Sequence, residues 1–328
     1  MRTRSLGASG LDVSVVSLGY WLTFGEAVYE EASKAVVRRG FELGINLFDT
    51  ANVYARGGAE EILGRALRDL PRDEVVVATK VFGEMGLGPL DRGLSAPAIR
   101  HQCEQSLRRL RLETINLYQC HRYDPEVPLE ETCRAMDELV RTGKVRSWGV
   151  SEWTAGQMAE AVSLCGREGL APPVSDQPRY SMLQREAEVE VLPACADLGL
   201  GVLAFSPLAQ GMLTGKYRGT TKVPPGSRAA GEQGRLLRER FFTPEHFARV
   251  ERLRAIADGL GVPLARLAIA WTLHRPEVTT AIVGATRPEQ LQENVAAADL
   301  ELDDEVRGRI EEALVRETPR WRAGPCRP

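Results

Sequence analysis

Eight short apolar runs, each followed by a longer stretch with helical spacing, predict an α/β fold: a (β/α)8 TIM barrel. The runs lie at residues 13–18, 45–49, 75–80, 115–121, 145–150, 173–177, 201–205 and 279–283. Helical patterns fall between them at 30–43, 60–70, 95–110, 129–141, 154–167 and 186–198. This alternation produces right-handed βαβ units and a parallel sheet. Eight strands suit a closed barrel better than an open doubly wound sheet. The runs also lack polar alternation, Val75-Val76-Val77-Ala78 above all, as strands covered on both faces require.

The turns agree with these boundaries. Gly44 and Gly143 stand where helices would end in a left-handed cap, and Ser95 opens a helix with Pro97 in its first turn. After the seventh strand, residues 206–243 read as a long irregular stretch containing Gly215, Lys216, Pro224, Pro225, Gly226 and Arg228. A loop of that length in a compact domain is usually functional, and in a barrel it would emerge at the C-terminal face. Residues 317–328, with Pro319, Trp321, Pro325 and Pro328, read as an irregular tail. The expectation is a single domain over 1–328.

The chain of 328 residues is 43% hydrophobic and 27% charged, with a formal net charge of -3, so a large core is available. That balance offers neither nucleic acid nor a membrane surface the basic patch each normally draws. No apolar run is long enough to span a bilayer, and residues 1–10 lack a signal-peptide core. The six cysteines (Cys103, Cys120, Cys133, Cys165, Cys195, Cys326) form no CxxC pair, which favours reduced thiols and a cytoplasmic protein.

Four ionisable residues sit at or just beyond the ends of three successive strands. Asp49 closes the second, Tyr54 follows it on the loop, Lys80 closes the third and His121 the fourth. Neighbouring strand ends converge on the barrel rim, so these side chains should meet. Asp49 and Lys80 would neutralise each other, since either charge buried alone is costly. The cation is expected to lower the pKa of Tyr54, which would exchange a proton with a carbonyl oxygen while neutral His121 orients it. Lysine is scarce (Lys34, Lys80, Lys144, Lys216, Lys222) in an arginine-rich chain, so a strand-end lysine suggests a need for a compact, tunable charge. Any one of the four alone would be an ordinary rim residue; together they read as a site.

The stretch Gly44-Ile45-Asn46-Leu47-Phe48-Asp49-Thr50-Ala51, with Tyr54 and Glu60-Glu61-Ile62-Leu63-Gly64 after it, resembles the first signature of the aldo-keto reductase family. Ala78-Thr79-Lys80 and Leu117-Tyr118-Gln119-Cys120-His121-Arg122 are similar to its later motifs, and the likeness runs from Leu6 to about Leu314. Residues 88–95, Trp148-Gly149-Val150-Ser151, Ser206-Pro207-Leu208 and 211–217 resemble one branch: the β subunits of Shaker-type potassium channels and their bacterial enzyme relatives.

The resemblance implies Asp49, Tyr54, Lys80 and His121 as a catalytic tetrad with Tyr54 the proton donor, and NADP(H) as cofactor. It implies Trp21 and Asp49 beside the nicotinamide, Ser151 and Gln177 on its carboxamide, and Phe205 stacked on its ring. Ser206, Leu208, Gly211, Lys216 and Arg228 would hold the phosphates; Gly284, Thr286, Gln290, Glu293 and Asn294 would surround the adenosine and its 2′-phosphate. The residues themselves support part of this, because Thr286 and Pro288 open a helix whose free N–H groups suit a phosphate. For Glu293 and Asn294 a solvated helix face is an equal reading. Glu152 stands where many relatives carry Asn, and a carboxylate cannot donate as an amide does. Arg287 beside Thr286 favours NADPH over NADH.

The expected substrate is a small carbonyl compound, with walls from Tyr20, Trp21, Phe82, Tyr123 and Trp153. The residues themselves do not read out an oligomeric state; the resemblance implies a homo-oligomer, a tetramer. Two other readings stand beside the reductase. One is a nicotinamide-binding subunit that senses redox state with slow turnover or none. The other, a barrel hydrolase or metal enzyme, is disfavoured by the absence of HExxH and GxSxG and by scattered histidines at 101, 121, 246 and 274, so no metal is expected. Gly199-Leu200-Gly201-Val202-Leu203-Ala204 matches a dinucleotide fingerprint by letter, but it opens a strand where the fingerprint must open a helix.

Overall fold

The computed structural model describes residues 1–20, 30–219, 223–231 and 234–315, so Trp21, Lys222 and the 317–328 tail lie outside the described residues. In chain order the elements are β1 (Thr3–Ser5), β2 (Asp12–Ser14), β3 (Val16–Gly19), α1 (Glu30–Glu42), β4 (Leu47–Asp49), α2 (Gly58–Ala66), β5 (Val76–Val81) and α3 (Ala96–Leu110). There follow β6 (Ile115–Cys120), α4 (Leu129–Arg141), β7 (Val145–Val150), α5 (Ala155–Glu168), β8 (Ser175–Asp176), α6 (Val191–Asp197) and β9 (Gly201–Phe205). The chain continues through α7 (Arg235–Phe241), α8 (Pro244–Gly259), α9 (Leu264–His274), β10 (Val278–Val283), α10 (Pro288–Val295) and α11 (Asp304–Leu314). Among the described residues no single helix is long and apolar enough to cross a membrane.

Two compact units divide the chain: Met1–Gln210 with Ala265–Leu300, and Gly211–Leu264 with Glu301–Pro328. The first holds the closed barrel, whose strands run β10-β3-β4-β5-β6-β7-β8-β9, every pair parallel. The eight predicted strand positions are those eight strands. Period-two alternation then sorts each strand's inward face by height. Leu47, Val76, Ala78, Leu117, Leu203 and Ile282 pack into one buried cluster low in the barrel. Two residues further along the same strands stand Asp49, Lys80, Gln119 and Phe205. Apolar floor and polar rim are thus successive inward positions of the same strands.

The predicted strand at 13–18 is two strands. Its first half, β2, pairs antiparallel with β1, and its second half, β3, enters the barrel. Val15 is the junction: its N–H donates to Arg2, and its carbonyl accepts from Ala281 of β10. Leu6, Leu11 and Val13 of this hairpin join the barrel-floor cluster. Gly7, at φ 51, turns the chain against the starts of β8 and β9, where an added Cβ would collide with the Val174 carbonyl and lie 2.9 Å from the Gly201 nitrogen. Gly201 owes its lack of side chain to the same approach, since its Cβ would meet Leu6 at 2.6 Å.

The stretch 206–243 is not structureless. It carries 3-10 turns at Ala209–Thr214 and Arg228–Ala230 and the helix α7. Most of it belongs to the second unit, where Tyr217, Phe242 and Phe247 form a chain of rings with centroids 5.3 Å apart. In that unit α8 is tied to α11 by Arg252 Nε donating to the Ala313 carbonyl at 3.0 Å. The helix predicted over 186–198 is a 3-10 turn at Glu186–Glu188 followed by the short α6.

Replacing Gly7 with alanine should lower the free energy of unfolding by about 2 kcal/mol, because it adds both left-handed strain and a backbone collision. Urea denaturation checks this; an unchanged midpoint would mean that the hairpin does not close the barrel floor.

Candidate active site

β4, β5 and β6 deliver their last inward residues to one place. Lys80 Nζ donates to Asp49 Oδ1 at 2.8 Å, to Asp49 Oδ2 at 2.6 Å and to the Thr50 carbonyl at 2.7 Å. All three ammonium protons are therefore used, as a wholly buried lysine demands. Asp49 Oδ1 also accepts from Gln177 Nε2 at 3.0 Å and Gln119 Nε2 at 3.3 Å. Gln177 Nε2 lies 3.4 Å from Gln119 Oε1, so two neutral amides and one cation share a single carboxylate.

Tyr54 sits over this pair, with Lys80 Nζ 5.3 Å from its ring centroid. It begins a tight turn in which Ala55 and Arg56 have φ of 49° and 51°. Arg109 clamps that turn: its Nε donates to Glu60 Oε2 at 2.6 Å, and a Cβ on Gly57 would meet its Cδ at 2.7 Å. Glu60, buried completely, takes its other hydrogen bond from Thr79, the neighbour of Lys80, at 2.6 Å. His121 follows β6, held by its N–H to the Val81 carbonyl, and its ring meets Tyr54 edge to face at 5.8 Å between centroids. The four sequence-predicted residues do converge.

The expected depression of the Tyr54 pKa is overturned. Burial pushes the phenol above its usual range, the Asp49 charge pushes the same way, and Arg122 opposes them only in part. The larger cause is burial of the phenol, which stands over the buried pair with the Lys80 ammonium bound to Asp49 and Thr50. Lys80 is itself lowered by burial against the opposing pull of Asp49. His121 is pushed down to about 2 by burial and by the charges of Lys80 and Arg122, so its imidazole is neutral, as the sequence reading required.

Two residues of this site escaped the sequence reading as functional residues. Gln119 is a buried polar residue near the end of β6, a signal available in the sequence. Arg122 acts electrostatically on Tyr54, Lys80 and His121, and nothing in its sequence position shows that reach.

The residues implied for a cofactor fall in both units. On the barrel rim, Ser151 Oγ donates to the Gln177 carbonyl at 2.9 Å, and Phe205 is half-buried with the Arg179 guanidinium 5.2 Å from its ring centroid. Glu152 Oε1 accepts from the Arg179 backbone N–H at 2.7 Å, so its carboxylate is engaged. Ser206 has φ 57° and Leu208 is half-buried beside it. Gly284 and Thr286 are exposed after β10; Thr286 N–H donates to Gln290 Oε1 at 2.8 Å, and Asn294 is buried on α10. Glu293 is exposed on α10 and paired with Arg266 at 2.9 Å, as the reading of a solvated helix face has it. Gly211, Lys216 and Arg228 belong to the second unit, where Lys216 Nζ lies 5.2 Å from the Tyr217 ring and burial lowers the pKa of half-buried Arg228.

Of the expected substrate walls, Phe82 and Tyr123 reach solvent, whereas Tyr20 and Trp153 are buried. Trp153 meets Tyr123 edge to face at 5.0 Å, and its Nε1 has no protein partner. Seven non-glycine residues in the loops after β4, β5, β7 and β9 have positive φ: Ala55, Arg56, Phe82, Glu152, Ser206, Ala209 and Gln210. Backbone strain of this kind gathers at functional sites, and here it gathers on one rim.

The acid–base side chains stand on the C-terminal rim of a closed parallel barrel, where barrel enzymes place their active sites. The chain belongs to the aldo/keto reductase family, which it matches over residues 15–315. It is 43% identical over 303 residues to the "Probable voltage-gated potassium channel subunit beta" of Arabidopsis thaliana, covering 92% of each chain. It is also 43% identical over 325 residues to the protein of the same description from Oryza sativa subsp. japonica, covering 98% of each.

Two measurements test these electrostatics. Lys80→Met should cost about 3 kcal/mol of stability by leaving Asp49 buried without its cation, and chemical denaturation reads this directly. For His121 the folded state resists a proton that the unfolded chain accepts below about pH 6.5. Its contribution to stability is complete above that pH and declines as pH falls towards 2. His121→Gln should therefore lose less stability between pH 7 and 4 than the wild type; parallel curves would show a histidine that titrates normally.

Proposed function

We propose that the protein reduces a small aldehyde or ketone to an alcohol with NADPH. The observation that carries this is a phenol kept protonated, Tyr54, beside a neutral imidazole, His121, over the Asp49–Lys80 pair. The residues on the rim fit a nicotinamide. Ser151 spends its proton on the Gln177 carbonyl and Gln177 spends its amide nitrogen on Asp49, which leaves Ser151 Oγ and Gln177 Oε1 as acceptors for a carboxamide NH2 group. Engagement of Glu152 by Arg179 removes the carboxylate from that contact.

When bound, the reduced nicotinamide supplies a hydride to the carbonyl carbon. Tyr54, protonated at physiological pH, gives its proton to the carbonyl oxygen as the carbon is reduced. His121, as a neutral donor, hydrogen-bonds the same oxygen without competing for the proton. Lys80 offsets the phenolate charge left on Tyr54 until solvent returns the proton. Arg287, exposed at the start of α10, favours the 2′-phosphorylated cofactor.

The relatives' names favour a second reading, in which the chain binds nicotinamide as the regulatory partner of a membrane channel. Steady consumption of NADPH with 4-nitrobenzaldehyde supports the reductase; tight NADPH binding with no turnover supports the partner. Tyr54→Phe should lower kcat by at least about a hundredfold while leaving NADPH affinity within a few-fold. Turnover that survived this change would remove Tyr54 as the proton donor.

A further inference from the structure

Arg179 lies against a ring that the reaction needs. Its backbone is fixed beside Phe205 by a parallel bridge, with Phe205 N–H donating to the Pro178 carbonyl at 3.0 Å and Tyr180 N–H to the Phe205 carbonyl at 3.1 Å. Its guanidinium sits over one face of Phe205, 5.2 Å from the centroid. Glu152 holds it there, with Oε1 on the Arg179 N–H at 2.7 Å and Oε2 3.9 Å from Nη2. Glu152 adopts φ 57° to do so, a conformation that a non-glycine residue takes only when its surroundings demand it. On β8, burial and the Glu152 charge push Asp176 well above the usual carboxylate range, while Glu152 offers its carboxylate to Arg179.

A cation on one face of an aromatic ring draws on its π electrons. A second cation on the opposite face meets a depleted ring and, through it, a like charge; a neutral ring meets neither. The oxidised nicotinamide ring is cationic and the reduced one is neutral. We propose that Arg179, held over one face of Phe205 by Glu152, biases a nicotinamide stacked on the other face towards the reduced form and against the oxidised one. Arg179 is then a positioning residue that acts through Phe205, and Glu152 sets how much of its charge is felt. This rests on the reading that nicotinamide stacks on Phe205. It gives the site a direction: the spent cofactor is the weaker ligand and leaves, which favours carbonyl reduction over alcohol oxidation.

Calorimetric titration of the full-length protein with NADPH and with NADP+, at one ionic strength, measures the ratio of the two dissociation constants. Arg179→Met should lower Kd(NADP+)/Kd(NADPH) by roughly three- to tenfold, as expected for removing one partly balanced charge at this range. Arg179→Lys should keep most of the wild-type ratio. Glu152→Gln should raise the ratio, since its amide keeps an oxygen for the Arg179 N–H but drops the balancing charge. A ratio unmoved in both Arg179→Met and Glu152→Gln overturns the inference, and if the methionine variant does not fold, Glu152→Gln decides alone. A wild-type protein that binds neither form overturns the nicotinamide reading itself and this inference with it. Binding of both with an unmoved ratio overturns only the inference.

Discussion

The contact on which the site depends is the ion pair between Asp49 and Lys80. Both side chains are buried, Asp49 at 3% exposure and Lys80 at 0%, where either charge alone would be expensive. The pair is tolerated because its polar atoms are satisfied: three protons of Lys80 meet three oxygens, and Asp49 takes two further bonds from the amides of Gln119 and Gln177. Those groups come from β4, β5, β6 and the end of β8. Strand register is therefore fixed twice, by the apolar floor and by this polar ring above it. A slip of one residue in any of these strands would turn its charged or amide side chain out of the ring.

From this pair the character of the neighbouring groups follows. Burial, reinforced by the field of the Asp49 carboxylate, makes the phenol of Tyr54 hold its proton. The same burial, with Lys80 and Arg122 close by, strips the proton from His121. The result is two neutral groups, a phenol and an imidazole, next to a buried charge pair. The proposed reduction needs its phenol protonated at the start of the step, and this arrangement meets that need.

Much of this was legible in the sequence because barrel topology turns order into proximity. Asp49, Lys80 and His121 stand at the ends of successive strands, so their meeting needed no tertiary information. The N-terminal hairpin was hidden by continuity: residues 13–18 look like one buried strand, yet Val15 donates to one sheet and accepts from another. The sign of the Tyr54 shift was hidden for a different reason. A cation near a phenol lowers its pKa only if it outweighs the cost of burying the phenolate, and how deeply Tyr54 is buried is a matter of tertiary geometry alone. Gln119 was in view but unread, because a single polar residue in a strand carries little weight until its neighbours are known.

The most direct test of a phenol held neutral by its surroundings is its own titration. Difference absorbance of tyrosinate between the wild type and Tyr54→Phe, followed from neutral to alkaline pH, isolates this one group. The account predicts no ionisation of Tyr54 until well above the ordinary tyrosine value of about 10. A phenolate appearing near neutral pH would contradict it, and would return Lys80 to the role of a cation that activates Tyr54 directly.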